Sequence, residues 1–344
     1  MKTKLAIVGV GVISKYGIST THFLEGLKKD NTSNSNSEGY KVPDFDIKAL
    51  LGKKVRYINR TTALSLIAMN QVLEKFNPIN LYPDNEIGIA MGTNTGSLKI
   101  TLDFANDTFT QEKPYYVDPS YFPQGILNYM AGNAAIRYGF KGVNVTISDG
   151  RNTGFETINY AANAIETSQC KTMLVAAVED SNEYSEYIYH QQNKYLNLLP
   201  TEYAEGAVCL GIETVDNAKL YNHPIIAEII DVNLTFYPQK ENLYLSLKKS
   251  IDKLLNKHSI SYQDIYAVSA VDNINCDGEK FETCFLNDNI QRITLKKALG
   301  DTLAATNLFQ IASLLLVKKE SSPQYCLLYT LDESNLIGCA LLKI

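Results

Sequence analysis

The sequence predicts an α/β fold assembled from two similar halves. Apolar runs of strand character alternate along the chain with stretches of helical spacing. The order helix, strand, turn, strand also occurs twice. In the first part, Phe155–Thr167 precedes TMLVAAVED, a polar tyrosine-rich excursion and AVCLGIE. In the last part, Leu303–Lys318 precedes QYCLLYTLDES and IGCALLKI, which ends the sequence. With 344 residues, 45% hydrophobic and 20% charged, the composition is globular, and the length suits two ordinary domains or one large unit. The halves are divided at 1–213 and 214–344.

Taken in order, the expected strands of the first half are Leu5–Gly11, Ile87–Met91, Val143–Ile147, Met173–Val178 and Ala207–Ile212. Those of the second are Ile225–Val232, Tyr266–Ala270, Tyr325–Leu331 and Ile337–Leu342. Helical spacing places helices at Thr20–Lys28, Arg60–Lys75, Phe122–Tyr138, Phe155–Thr167, Leu243–Lys257 and Leu303–Lys318. The polar stretch DNTSNSNSEG, Asp30–Gly39, reads as a surface loop.

Charge and composition exclude several functions. The net charge of −5 and the lack of a dense Lys/Arg run argue against nucleic-acid binding. The longest apolar runs are too short for a membrane span. The N-terminal apolar run carries glycines and no small-residue cleavage site, so it reads as a buried strand and not a signal peptide. The six cysteines are dispersed without a Cys-x-x-Cys pair, and there are four histidines, so no metal site is expected. A reducing cytoplasm fits that cysteine usage.

Three other features carry little chemistry. VGVGVIS, Val8–Ser14, has Ser14 at the third glycine position of a dinucleotide fingerprint and lacks the acidic residue such a site needs. It reads as a glycine-bearing strand and turn. No cofactor is expected. His190 lies in EYSEYIYHQQNKY and reads as a surface residue; those tyrosines suit a pocket or subunit contact, or a solvated loop packing its own rings. Cys276 has no base placed for it and reads as a bystander.

The segment VNVTISDGRNTGFETINYAANAI holds the central puzzle. An alternating strand enters the tight turn Ser148-Asp149-Gly150, and a helix follows with Phe155, Ile158, Ala162 and Ile165 on one face. Strand, sharp turn and helix commonly expose a nucleophile beside free helix N–H groups. Here the residue at the helix start is Arg151, which is permanently charged and no nucleophile. Duplicated halves often share a site between equivalent helix N-termini, and the equivalent position in the second half is Asp301.

The stretch PSYFPQGILNYMAGNAAIRYGFKGVNVTISDGRNTG resembles the β-ketoacyl-acyl-carrier-protein synthases of the thiolase fold. LAIVGVGVISKYGISTTHFLEGLKKD, DNEIGIAMGTNTGS, EYAEGAVCLGIE, YAVSAVDN and LKKALGDTLAATN extend the likeness almost end to end. The resemblance implies a thiolase-like five-layered α/β/α/β/α fold from two halves. The chain is shorter than typical members, mainly around the tyrosine-rich excursion.

The catalytic positions implied by that resemblance depart from the family. Its nucleophilic cysteine falls on Arg151, its first histidine on Asp272 and its second on Asp301. Lys296 and Gly300 of the second-histidine motif are retained. The helix glutamate falls on Gln310, and the glycine-rich gating loop appears as TLDESN, Thr330–Asn335. An arginine cannot be acylated, and ionised aspartates repel an oxyanion. Arg151 is expected to pair with Asp272, Asp301 or both, because a buried guanidinium needs a carboxylate.

The resemblance is therefore to a degenerate ketosynthase of the chain-length-factor kind. It implies a non-catalytic subunit in a heterodimer with an active ketosynthase, serving an acyl carrier protein in polyketide, aryl-polyene or fatty-acid-like chain elongation. The alternatives are a thiolase-fold enzyme or binding protein that uses the Arg/Asp cavity for an anionic substrate, and a plain scaffold with a collapsed cavity.

Overall fold

A computed structural model describes residues 3–32, 40–52, 57–198, 201–237, 243–272, 285–286, 290–317 and 324–344. Cys276 and residues 33–39 of the expected surface loop lie outside these, as does Lys318 at the end of the last expected helix. The strands are β1 (Leu5–Ile13), β2 (Ile87–Gly92), β3 (Asn144–Ile147), β4 (Thr172–Glu179) and β5 (Gly206–Thr214), then β6 (Ala227–Phe236), β7 (Ile265–Asp272), β8 (Gln291–Thr294), β9 (Tyr325–Leu331) and β10 (Leu336–Lys343).

In space the strand order is β3-β2-β4-β5-β1-β6-β10-β9-β7-β8. Read outward from the centre, the two halves are one sheet drawn twice: β1-β5-β4-β2-β3 and β6-β10-β9-β7-β8. The directions repeat as well. β1 with β5 and β5 with β4 are antiparallel, while β4 with β2 and β2 with β3 are parallel. β6 with β10 and β10 with β9 are antiparallel, while β9 with β7 and β7 with β8 are parallel. The halves meet where Leu5–Ile7 of β1 pair with Ala227–Ile229 of β6.

The principal helices are α1 (Thr20–Thr32), α2 (Arg60–Leu73), α3 (Leu98–Thr110), α4 (Tyr129–Tyr138), α5 (Thr153–Glu166), α6 (Glu183–Leu196), α7 (Leu243–Lys257) and α8 (Thr306–Ser313). Parallel strand pairs need long crossovers, and helices supply them. Three apolar cores separate the layers. The central one packs α5 and α8 between the halves, through residues such as Phe155, Ile158, Leu308 and Phe309. A second lies under α2 and α4, with Leu64, Met69 and Met130. A third lies under α7, with Leu247, Ile251 and Leu254. Helix, sheet, helix, sheet, helix is the five-layered thiolase-like arrangement.

Several elements differ from the sequence expectation. The helix expected over Phe122–Tyr138 is two pieces, Tyr121–Gln124 and Tyr129–Tyr138. Gly125 lies against Thr101, leaving no room for a side chain, and its carbonyl accepts from the Thr101 hydroxyl at 3.0 Å, which fixes the break. The helix expected over Leu303–Lys318 is α-helical at Thr306–Ser313, with 3₁₀ turns at Leu303–Ala305 and Leu314–Leu316. The tyrosine-rich excursion is the helix α6. Asn182 and Ser185 close a capping box at its start, and Ser185, Tyr189 and Asn193 form its buried stripe. Helix α3 and strand β8 were not expected at all. No residue of α3 is buried, and β8 is four residues long with a charged Arg292, so neither carries a strong apolar period.

Candidate functional site

The site begins where β3 ends. Gly150 takes φ +56°, and a side chain there would strike the Asp332 carboxylate. The turn is stitched from both sides. The Asp149 N–H donates to Thr153 Oγ1 at 2.7 Å, while the Gly150 carbonyl accepts from Asn94 Nδ2 at 3.0 Å. Helix α5 starts at Thr153, with Asn152 as its N-cap residue, so Arg151 stands two residues ahead of the helix and not in its first turn.

Arg151 is 1% exposed. Its Nε donates to Asp301 at 3.2 Å and 3.0 Å, and its Nη2 donates to the same carboxylate at 2.5 Å. Its Nη1 pairs with Glu333. Its backbone N–H donates to Asp332 Oδ2 at 2.5 Å. The guanidinium is thus held by a forked contact to one carboxylate and an ion pair to a second. Asp332 and Glu333 come from the turn between β9 and β10.

Asp301 is equally buried and has four kinds of partner. Besides Arg151, it accepts from the Tyr189 hydroxyl at 2.7 Å and from the Leu303 N–H at 3.1 Å. Its backbone is clamped to the 202–204 segment through Glu202 and Ala204. Burial pushes its carboxyl up, but the Arg151 charge and hydrogen bonds outweigh burial and hold it below the ordinary carboxylate range. The cavity beside Asp301 measures about 10 Å³, about one water sphere.

A second layer of buried acid backs the first. The Tyr189 ring lies 5.3 Å from that of Tyr203, whose hydroxyl donates to Glu179 at 3.3 Å. Glu179, at the end of β4, also accepts from the Asn94 and Thr95 N–H groups. Burial pushes it up to about 7 against those hydrogen bonds, and its neighbour Asp180 up to about 6. Glu205 takes a bidentate contact from Arg60, at 2.6 and 2.7 Å.

Gln310 is 0% exposed on α8 and sits between strands of the second half. Its Nε2 donates to the Ser269 and Tyr329 carbonyls, both at 2.9 Å. Its Oε1 accepts from Asn307 Nδ2 at 3.2 Å and from Thr330 Oγ1 at 2.8 Å. All four bonding directions of the amide are used. An ionised glutamate cannot donate to the two carbonyls, so this pocket is shaped for the amide.

Of the remaining candidates, Gly300 takes φ +79° and packs against Tyr40 and the Glu202 carbonyl. Lys296 begins the four-residue turn Lys296–Leu299 that Gly300 caps. Asp272 ends β7 opposite Leu331, and its side chain lies outside the described residues. The structure therefore brings Arg151 and Asp301 together, adds Asp332, Glu333, Tyr189 and Glu179, and holds Gln310 apart from them as a hydrogen-bonded strut between the Ser269 and Tyr329 carbonyls. Asp332 and Glu333 were visible only as an unusual loop composition. Tyr189 lay in the tyrosine-rich excursion, which was read either as a pocket or subunit contact or as a solvated loop packing its own rings.

Among the described residues, no cysteine stands exposed at this site. Cys170, Cys209, Cys326 and Cys339 are all buried, and burial pushes each thiol up, Cys326 and Cys339 to about 12. Among the described residues, no cluster of His, Cys, Asp and Glu could hold a metal, and no helix is long and apolar enough to cross a membrane.

Comparison with known proteins bears on the family and the fold. Residues 24–198 match the model of the beta-ketoacyl synthase N-terminal domain. A 3-oxoacyl-[acyl-carrier-protein] synthase 2 of Coxiella burnetii is 24% identical, over 87% of this chain and 78% of its own length. The Vibrio harveyi protein of the same name is 24% identical over 53% of this chain and 46% of its own length. In fold, the chain is similar to the ishigamide ketosynthase/chain length factor, with a TM-score of 0.84 and 24% identity over 98% of this chain and 99% of that one. It is also similar, at TM-score 0.78 and 18% identity over 99% of each chain, to a structure of a type II PKS acyl-carrier protein in complex with its ketosynthase. With more than half of its length matched by the family model and its two-half fold shared with solved ketosynthases, this chain belongs to the beta-ketoacyl synthase family.

Proposed function

We propose that this chain is the non-catalytic, chain-length-factor-type subunit of a heterodimeric ketosynthase. An active β-ketoacyl-ACP synthase would supply the thiol and the histidines. This chain would supply interface, tunnel wall and part of the carrier-protein docking surface, in polyketide, aryl-polyene or fatty-acid-like elongation. The observation that carries the reading is Arg151, which stands on the nucleophile's turn, 1% exposed and closed off by carboxylates. A residue so enclosed neither forms an acyl bond nor leaves space for a substrate. The same closure counts against an anionic substrate in the Arg/Asp cavity, since the void beside Asp301 is about 10 Å³.

Features of the surface support a partner. β3 is an edge of the ladder, and unpaired strand edges invite pairing with another chain. Nearby in sequence, Ile136 is 87% exposed, Phe109 86% and Phe122 67%. In this reading these are the side chains a partner would cover. The two solved structures of similar fold, one named for a ketosynthase and a chain length factor, the other a ketosynthase with its carrier protein, suggest the kind of partner.

Co-expression with an active ketosynthase encoded beside this chain tests the reading. The expected result is a stable one-to-one complex whose product length changes when this subunit is mutated. A well-behaved homodimer indifferent to every ketosynthase offered would overturn it. Acylation of this chain by malonyl or acyl carrier protein, mapped to any residue, would restore the enzyme reading.

A further inference from the structure

Helix α3 is 13 residues long, yet none of them is buried. Its contacts are mostly polar and lie at the surface. Lys99 pairs with Asp103 and with Glu183 of α6, the Thr101 hydroxyl donates to the Gly125 carbonyl at 3.0 Å, and the Phe104 and Phe122 rings lie 6.3 Å apart. An element with so little buried apolar area belongs to the least stable part of a fold. What fixes α3 is the loop that leads into it, residues 93–97, in which Thr93 and Ser97 are buried.

That loop is anchored on one carboxylate. β2 and β4 run parallel with Gly92 opposite Ala177, so the chain leaving β2 passes Glu179 at the end of β4. Glu179 is fully buried. Its Oε1 accepts from the Asn94 N–H at 2.5 Å. Its Oε2 accepts from the Thr95 N–H at 3.2 Å, from the Thr95 hydroxyl, and from the Tyr203 hydroxyl at 3.3 Å. The same loop reaches the Arg151 turn, since Asn94 Nδ2 donates to the Gly150 carbonyl and Asn94 Oδ1 accepts from the Thr153 hydroxyl at 3.2 Å.

Every one of those donors is neutral, and among the described residues no cation pairs with Glu179. The charged and titratable groups around it do not supply one. Asp180, next along the chain, adds a like charge and is itself pushed up to about 6. Beyond Asp180, Arg60 is taken by Glu205. Burial holds the Tyr203 hydroxyl well above its ordinary value, so it stays a donor. Across the Tyr189 ring, Arg151 is taken by Asp301 and Glu333. A carboxylate buried without a cation is costly when ionised, and lifting the loop returns it to water. Ionisation therefore favours the lifted loop, and protonation favours the closed one.

We propose that residues 93–97 form a pH-sensitive strap: ionisation of Glu179 loosens the loop, frees α3 and slackens the hold of Asn94 on the Arg151 turn. Protonation closes it. The strap stands whether or not the chain is a ketosynthase subunit.

The test is hydrogen exchange of the whole chain, followed by mass spectrometry at pH 6 and pH 8 and corrected for the intrinsic pH dependence of amide exchange. With Glu179 at about 7 in the closed form and 4.5 once solvated, the opening constant rises about tenfold between those two pH values. Segment 93–110 should exchange well before β4 and β5 at both, and about tenfold faster at pH 8. Glu179→Gln should remove the pH difference, whatever its absolute rate, while Asp180→Asn should keep most of it. Exchange of Asn94 and Thr95 only together with the core strands would overturn the proposal. So would the lack of a pH difference in segment 93–110, or a difference that survives Glu179→Gln or disappears in Asp180→Asn. If Glu179→Gln fails to fold, the exchange order of the native chain and the Asp180→Asn variant decide the matter.

Discussion

Arg151→Met is the sharpest perturbation of this molecule. It keeps most of the side-chain volume and removes the charge. Two carboxylates then lose their ion-pair partner, Asp301, which is buried, and Glu333, whose side chain is 12% exposed, while Asp332 keeps its bond from the backbone N–H of residue 151. Leaving a buried charge unpaired costs about 3–5 kcal/mol. For a chain of this size that is a fall in Tm of about 4–7 °C. The pH dependence gives a second signature. In the native chain the Asp301 carboxyl is held below its unfolded value, so its stabilisation is present above the unfolded pKa and is lost as pH falls through the folded pKa. In the variant, burial acts on Asp301 without the compensating cation, so its carboxyl rises above the unfolded value. The variant is therefore weakest relative to the native chain near neutral pH, and the gap narrows as the solution is acidified and Asp301 takes up a proton. Urea unfolding of both proteins at pH 7 and pH 5 measures this. The double variant Arg151→Met with Asp301→Asn should recover part of the loss, since the two residues are coupled. A single variant within about 1 kcal/mol of native at both pH values would refute the reasoning, because a solvated or unpaired arginine would behave that way.

Three further outcomes follow from the same structure. Gln310→Glu places a carboxylate against the Ser269 and Tyr329 carbonyls, and should cost about 3 kcal/mol or more at pH 7 and less at pH 5, read from thermal melts. Glu179 behaves oppositely to Asp301: its folded pKa of about 7 lies above the unfolded value of 4.5, so the native chain should lose about 3 kcal/mol as pH rises from 5 to 8. Glu179→Gln should flatten that dependence in urea titrations; an unchanged slope would place its origin elsewhere. Ile136→Asp, at a position 87% exposed, should leave the melting temperature of the isolated chain within about 0.5 kcal/mol of native stability while abolishing the complex with a ketosynthase in size-exclusion runs.

Much of this molecule was legible in the sequence, for identifiable reasons. The long buried strands carry continuous apolar runs, and Tyr325–Leu331 and Leu243–Lys257 were read with the bounds the structure has. Arg151 stood out because its type conflicts with its position on a turn built to expose a nucleophile. Gln310 was found through its place in the family pattern, but its role as a strut was not, because that depends on carbonyls of two other strands. Helix α6 was missed because its apolar residues are mostly tyrosines that face water, with the buried stripe made of Ser185, Tyr189 and Asn193. Strand β8 is too short for any period to appear. Glu179 resembles any acid ending a strand until Thr95 and Tyr203 are folded onto it.

The placement of the charges across the two halves has a consequence for how the chain assembles. Arg151 comes from the first half, and every carboxylate found in contact with it comes from the second. Backbone pairing between the halves covers Leu5–Ile7 and Ala227–Ile229, a narrow seam for so large a sheet. A chain with its halves closed but misaligned would bury an arginine with no acid to meet it. Pairing Arg151 across the halves would therefore penalise half-docked forms and sharpen the cooperativity with which the two lobes come together.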